Sequence, residues 1–207
     1  MFPLLAIVDV DAAAAARWDV ARLAQAFLEG GAKVIQLRAK RLPSGRFLAH
    51  ADDLVRAAAP YGASVIVNDR ADLALIAHAS GVHVGQDDLP PSAARRLLGP
   101  DATIGYSTHT VAQVDAAAPE PISYIAVGPV FGTQTKDTGY EAVGLAFVAE
   151  AARRSHGRPV VAIGGITLER APEVLAAGAS SVAVITDLLA GGNPAARVAA
   201  YLKALGL

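Results

Sequence analysis

Short apolar runs alternate with amphipathic stretches along the whole chain. Most of the runs are rich in β-branched residues and nearly continuous, a pattern typical of strands that are buried on both faces. These predicted strands are residues 4–9, 34–38, 64–69, 82–84, 103–107, 124–129, 160–165 and 181–186. Between them, apolar residues recur at intervals of three and four, which predicts helices. The predicted helices are residues 18–29, 91–98, 143–154, 168–177 and 194–205, and the alanine-rich residues 12–16 predict a loop leading into the first of them.

The regular alternation of strand and helix predicts an α/β fold. Its strands would be parallel and joined by right-handed crossovers. Eight such units within 207 residues favour a (β/α)8 TIM barrel with eight parallel strands, formed by residues 1–207 as a single domain. An open, doubly wound sheet is the alternative architecture.

The composition narrows the classes of function. A net charge of −1 without blocks of like charge indicates no nucleic-acid partner and no membrane-surface patch. The absence of cysteine excludes disulfides and a thiol nucleophile and fits a reducing cytoplasm. The apolar residues 1–9 are too short for a membrane span and lack the basic start of a signal peptide. Anion binding would therefore depend on a few placed basic residues and backbone amides, and the oligomeric state, a homo-oligomer included, stays open.

Polar side chains follow the predicted strands at the ends where barrel enzymes place their chemistry. Gln36, Arg38 and Lys40 alternate along the second strand, so they share one side of an extended chain. If that side faces the barrel axis, two cations and one amide point into the mouth. The alternative is a solvated strand end, although an arginine inside a barrel is costly unless it meets an anion.

Two carboxylates lie at or after the ends of neighbouring strands. Asp69 ends the third predicted strand, and Asp88 follows the fourth. Each could cap the following helix, or the two could converge on one Mg2+, which proteins hold with one or two carboxylates together with water and substrate phosphates. His83, inside the fourth strand, is better explained as a packed or hydrogen-bonded residue than as a ligand.

The second half of the chain predicts a phosphate site. Hydrogen-bond donors are concentrated in the loop 128–136, which contains Thr133, Thr135 and Lys136. A glycine pair, Gly164-Gly165, ends the seventh predicted strand, and a short helix is expected after the eighth. This combination is the usual phosphate site of such barrels. Ser107 and the nearby His109 do not predict a hydrolase, because no third triad residue and no nucleophile elbow is evident.

Taken in order, these motifs resemble those of the thiamine phosphate synthase family. The segments that carry the resemblance are QLRAK at 36–40, VNDR at 67–70, GVHVGQDD at 81–88, GYS at 105–107, GPVFGTQTK at 128–136 and AIGGI at 162–166. The sequence departs from the family pattern at Gly132, where proline is more frequent, and at Thr186, where serine is more frequent.

The resemblance implies an activity and a role for each matching residue. The family joins hydroxymethylpyrimidine diphosphate to a thiazole phosphate and releases diphosphate. Ionisation of the first substrate is thought to precede attack by the thiazole nitrogen, so no protein nucleophile is needed. The resemblance implies that Asp69 and Asp88 bind Mg2+ and that Arg38, Lys40 and Lys136 are catalytic cations. It assigns Gln36, Arg38, Lys40, Asn68, Ser107 and Lys136 to the pyrimidine diphosphate, and Thr133, Thr135, Gly165, Ile185 and Thr186 to the thiazole phosphate.

Two alternatives of other classes remain beside the synthase. A related thiazole tautomerase would share the outline of the barrel and would use His109 as its acid or base. A catalytically silent barrel would bind phosphate without turnover. The presence of Lys40, Asp69, Asp88 and Lys136 favours the synthase, because neither alternative needs all four.

Overall fold

The computed structural model describes residues 2–132 and 141–207. Eight strands lie within these residues: β1 (Leu4–Asp9), β2 (Val34–Arg38), β3 (Ser64–Asn68), β4 (Gly81–Val84), β5 (Thr103–Thr108), β6 (Tyr124–Val127), β7 (Val160–Ile163) and β8 (Ser181–Val184). Each strand pairs in parallel with the next, and β1 also pairs with β8, where Leu4 lies opposite Val182. The sheet is therefore a closed barrel. This confirms the predicted fold and excludes the open sheet.

Helices cover the outside of the barrel. In the described part of the chain they are α1 (Val10–Ala15), α2 (Val20–Glu29), α3 (Ser44–Ala58), α4 (Ala71–Ile76), α5 (Pro91–Leu98), α6 (Val111–Ala116), α7 (Gly144–Arg154), α8 (Ala171–Ala176) and α9 (Pro194–Ala204). Short 3-10 helices lie at Ala59–Tyr61 and Thr186–Gly192. Helix α5 has the predicted bounds, whereas the apolar pattern did not delimit α3, α4 or α6. None of these helices combines the length and the apolar character that a membrane span requires.

The loop predicted for residues 12–16 is wrong, because helix α1 occupies most of this segment. Asp9 caps the helix, since its Oδ1 accepts a hydrogen bond from the backbone N–H of Ala12 at 2.8 Å. The residues that follow are mostly alanine, which has the highest helix propensity. A good cap followed by strong helix formers accounts for the helix.

Four strands end earlier than predicted, at β3, β6, β7 and β8. At two of these ends the backbone enters the left-handed region: φ is 63° at Asp69, 105° at Gly164 and 61° at Gly165. These values are incompatible with a strand. The chain therefore turns out of the sheet at residues that the sequence predicts for the site.

Apolar side chains fill two regions. The larger region lies between the barrel and its helices and includes Phe27, Leu37 and Val198. The smaller one consists of Leu5, Ile7, Tyr124, Ala126, Val161, Ala183 and Ile185. The buried polar side chains Asp9, Gln36, Arg38, Asn68, His83 and Ser107 belong to strands of the same barrel. The barrel is thus a packed core, and its polar groups are candidates for binding.

Candidate active site

Two cavities open side by side at the carboxyl ends of the strands. The larger has a volume of about 490 Å3, and the smaller has a volume of about 160 Å3. Ser107 and His109 line both, so the two spaces adjoin. The predicted site residues that line the larger cavity are Ser107, Gly165, Ile185 and Thr186, and those that line the smaller are Lys40, Asn68, Asp69, Asp88 and Ser107.

A lysine and two carboxylates form the centre of the smaller cavity. Lys40 Nζ lies 2.6 Å from Asp69 Oδ2, and the Asp88 side chain is within hydrogen-bonding reach of Asp69. Burial raises the pKa of the Asp69 carboxyl above its ordinary value and Asp88 raises it further, while the hydrogen bond from Lys40 lowers it. Two crowded carboxylates of this kind gain from a cation placed between them.

Neither carboxylate caps the helix that follows it. The residue before α4 is Arg70 and the residue before α5 is Pro90, and no side chain among the described residues caps either helix. Asp88 Oδ2 instead accepts a hydrogen bond from the Gly85 N–H at 2.8 Å, which fixes its direction. The described residues contain no group of three or more His, Cys, Asp or Glu that could hold a metal. A pair of carboxylates is nevertheless the protein contribution that Mg2+ commonly requires, so the residues present fit this ion.

Arg38 lies inside the barrel, as the alternation along β2 predicts, and only 9% of it is exposed. It forms an ion pair with Asp9, its neighbour in register on β1. Its Nε is buried and has no hydrogen-bond partner among the described residues. Gln36, two residues earlier, is buried as well. The alternative of a solvated strand end is therefore excluded for these two residues, whereas Lys40 reaches the exposed rim.

His83 is packed and hydrogen-bonded, as predicted. Its Nδ1 lies 3.0 Å from the Tyr124 hydroxyl, and its Nε2 lies 2.8 Å from Ser107 Oγ. All three side chains are buried. Ser107 thus connects the interior of the barrel with both cavities.

The loops after β7 and β8 form the far wall of the larger cavity. Gly165 approaches the loop after β6 so closely that a Cβ atom there would lie 2.6 Å from the Gly132 carbonyl oxygen. Asp187 connects the two loops, because its Oδ2 accepts hydrogen bonds from the backbone N–H of Leu168 at 3.1 Å, from Arg197 at 2.7 Å and from the Tyr201 hydroxyl at 2.5 Å. Backbone amides and a glycine pair beside a 3-10 helix are suited to an anion.

Sequence reasoning missed several residues of this site. Asp9, Tyr124 and Asp187 act through partners on other strands or helices, and no local pattern identifies such partners. The polar residues at strand ends, Asp9 and Asp187, could have been found by the position rule alone. Predicted contacts at Thr133, Thr135 and Lys136 lie outside the described residues.

The closed barrel and its polar mouth define a class of protein, the (β/α)8-barrel enzymes that bind anionic small molecules where the strands end. Within that class, a family model described as thiamine monophosphate synthase matches residues 4–188. The chain belongs to this family.

Individual relatives agree with the family model. A thiamine-phosphate synthase of Mycobacterium sp. (strain KMS) is 47% identical over 189 residues, which cover 87% of this chain and 83% of that protein. One from Koribacter versatilis (strain Ellin345) is 41% identical over 204 residues, with coverage of 98% and 95%. Among solved structures, thiamine phosphate pyrophosphorylase from Pyrococcus furiosus superimposes with a TM-score of 0.88 at 28% identity and covers 99% of this chain and 95% of its own.

Proposed function

We propose that this chain is a transferase that joins hydroxymethylpyrimidine diphosphate to a thiazole phosphate. The bond from the pyrimidine methylene carbon to the diphosphate oxygen breaks, and a bond from the same carbon to the thiazole nitrogen forms. The products are thiamine phosphate and diphosphate. Family membership and the names of the relatives, which are thiamine-phosphate synthases, support this activity over the tautomerase.

The observation that carries the proposal is the pair of adjoining cavities with different chemistry. The smaller one is lined by Lys40, Asp69 and Asp88. Arg38 lies buried at the end of β2, two residues before Lys40. The larger one is lined by the glycine pair after β7 and by the loop after β8. A diphosphate in the first space and a phosphate in the second would bring two substrates together at Ser107 and His109.

Charge neutralisation is the main chemical task of the protein in this reaction. Diphosphate leaves readily once its negative charge is compensated. Arg38 and Lys40 would supply part of this compensation, and we propose Lys136 as a third cation and Thr133 and Thr135 as donors to the thiazole phosphate. Asp69 and Asp88 would hold Mg2+, which supplies further positive charge to the diphosphate oxygens when it is bound.

One assay tests the function. The protein is incubated with both substrates and Mg2+, and thiamine phosphate and diphosphate are quantified in equal amounts if the proposal holds. Conversion between thiazole carboxylate tautomers without any thiamine phosphate would favour the tautomerase with His109 as its acid or base. Binding of both substrates without turnover would favour the silent barrel.

The metal assignment is tested by removing one carboxylate at a time. We expect Asp69→Ala and Asp88→Ala each to lower Mg2+-dependent thiamine phosphate formation by about 1000-fold or more, because a metal supplies several kcal/mol of charge stabilisation. Circular dichroism should show an unchanged fold. Mn2+ titrated in the presence of diphosphate and followed by electron paramagnetic resonance should bind more weakly to both variants.

The control for the metal test is Asp53→Ala, which removes an exposed carboxylate that pairs with Arg56 on α3. It should match the unmodified protein in activity and in Mn2+ binding. Full activity in both site variants would refute the metal assignment but not the transferase reaction.

A further inference from the structure

A chain of buried polar groups crosses three neighbouring strands in the middle of the barrel. It runs from the Tyr124 hydroxyl on β6 to His83 on β4 and on to the Ser107 hydroxyl on β5, with contacts of 3.0 and 2.8 Å. Tyr124 is 2% exposed and His83 is 8% exposed. Only Ser107 reaches both cavities at the mouth. Of these three residues, the resemblance gives a role to Ser107 alone.

The register of the strands and a glycine between them leave space for this chain of groups. His83, Gly105 and Tyr124 lie side by side in the register of β4, β5 and β6. A Cβ atom on Gly105 would overlap the Tyr124 hydroxyl and would lie 2.5 Å from His83 Nδ1. The rings of His83 and Tyr124 stack at a centroid distance of 5.6 Å and an interplanar angle of 20°. Glycine in the middle strand therefore makes room for the hydroxyl and the imidazole to meet.

The surroundings of the Tyr124 hydroxyl favour one direction for these hydrogen bonds. Burial raises the pKa of the Tyr124 phenol well above its ordinary value, which favours the protonated phenol. Among the described residues, the hydroxyl contacts His83 Nδ1 at 3.0 Å, and a phenol that donates there keeps its buried proton hydrogen-bonded. A neutral imidazole that accepts at Nδ1 carries its proton on Nε2. In this tautomer the Nε2–H donates to Ser107 Oγ, 2.8 Å away, and the Ser107 proton points away from His83.

We propose that Tyr124 and His83 are positioning residues that set the Ser107 hydroxyl as a hydrogen-bond donor to the pyrimidine diphosphate substrate. The relay selects one tautomer of the imidazole, and this tautomer selects the direction of the serine proton. A substrate oxygen or an unprotonated ring nitrogen can accept that proton. The part of the proposal that concerns substrate rests on the proposed function, whereas the tautomer of His83 does not.

The tautomer is tested in the unliganded protein. Nitrogen-15 NMR of the histidine side chains, with His83 assigned by its absence in His83→Gln, should give an unprotonated Nδ1 and a protonated Nε2. In Tyr124→Phe the ring is kept and the donor is lost, so the His83 signals should move toward a mixture of tautomers. A protonated Nδ1 in the unmodified protein would overturn the proposal.

The link to catalysis is tested with a double-mutant cycle. We expect Tyr124→Phe and Ser107→Ala each to lower kcat by about 10- to 100-fold, the cost of a misdirected or missing hydrogen bond. Because Tyr124 acts through Ser107, adding Tyr124→Phe to Ser107→Ala should cost nothing more. Losses that multiply would overturn the relay. His83→Gln, which keeps an amide donor near Ser107, should retain more activity than His83→Ala.

The matched control is Tyr61→Phe. It removes a hydroxyl that accepts a hydrogen bond from Gln25 and that lines neither cavity. It should leave kcat and the histidine spectrum unchanged, and thermal unfolding of each variant should show that it is folded. If the unmodified protein forms no thiamine phosphate, the proposed function fails, and the NMR spectra still decide whether the relay is present.

Discussion

A buried arginine shows how the charge of a single residue is compensated inside the barrel. Arg38 would be too costly to bury alone, but Asp9 lies beside it on β1 and forms an ion pair with it. The other oxygen of Asp9 caps helix α1. One carboxylate therefore compensates a buried charge and begins a helix. Arg38 is left with a buried Nε that can still donate to an anion.

Replacing Asp9 with asparagine separates these two roles. Asp9→Asn keeps an oxygen for the cap and removes the charge that Arg38 needs. We expect the free energy of unfolding to fall by about 3 kcal/mol, as for other buried ion pairs that lose one partner. Urea denaturation measures this loss.

Asp19→Asn is the control, because Asp19 caps α2 in the same way, through a 3.0 Å bond from the Arg22 N–H, but lies at the surface. Asparagine and aspartate are similar caps, so its effect should stay below about 0.5 kcal/mol. Equal losses in the two variants would mean that the ion pair contributes nothing beyond capping.

For single residues, the sequence predicted which ones lie at the site better than it predicted which residues they contact. The polar residues at strand ends were predicted from their place after apolar runs, and Asp69 lies beside Lys40 and Asp88 in the structure. Whether an aspartate caps a helix or faces a cavity depends on the φ of its own backbone, as the value of 63° at Asp69 illustrates. The pairing of Asp9 with Arg38 depends on strand register, which periodicity alone does not define.

At the scale of elements, the loops after β7 and β8 are held together by one side chain. Asp187 binds the backbone of the first loop, lies in the second, and is anchored by Arg197 and Tyr201 on α9. The two loops that line the larger cavity are therefore held in place by a helix that does not line it.

Weakening this connection should impair phosphate binding. In Asp187→Asn the ion pair with Arg197 is lost and the hydrogen bond to Leu168 weakens, so we expect KM for the thiazole phosphate to rise by about 10-fold. Hydrogen exchange at the Leu168 amide should become faster. Glu169→Gln is the control, since Glu169 is exposed and lies 3.8 Å from the same arginine. An unchanged KM in Asp187→Asn would contradict the connection.

The order and type of the elements were largely predictable, whereas their ends were not. Apolar runs located the eight strands of the described residues, because parallel strands that are buried on both faces are almost continuously apolar. It extended β7 through Gly164 and Gly165, since glycine in an apolar run gives no sign of a positive φ. It missed α1 because alanine fits both loops and helices until a cap is recognised.

At the scale of the whole molecule, buried phenols should make stability depend on alkaline pH. Burial raises the pKa of Tyr124 and of Tyr201 above the ordinary value of 10.0, and Asp187 raises that of Tyr201 further. Above about pH 10 the unfolded chain releases these protons while the folded protein retains them. The stabilising contribution is therefore complete below that pH and is lost as the pH rises.

For each of these tyrosines, the free energy of unfolding should fall by about 1.4 kcal/mol for every unit by which the pH rises above 10. Urea denaturation at a series of pH values gives the slope. Tyr124→Phe should reduce this slope by one such increment, and Tyr61→Phe serves as the comparison. A slope unchanged by Tyr124→Phe would mean that the phenol ionises equally in both states.

The pairing of β1 with β8 has a consequence for the stage of folding at which the protein becomes active. Asp9 and Arg38 come from the first strands, and the loop around Asp187 comes after the last, yet closure of the barrel brings both to the same end of the barrel. Neither half of the chain alone contains the residues of both proposed substrate sites. We therefore expect a truncated or half-assembled molecule to form no product. Product formation would then report that β8 has paired with β1. Activity should therefore appear only once the barrel has closed.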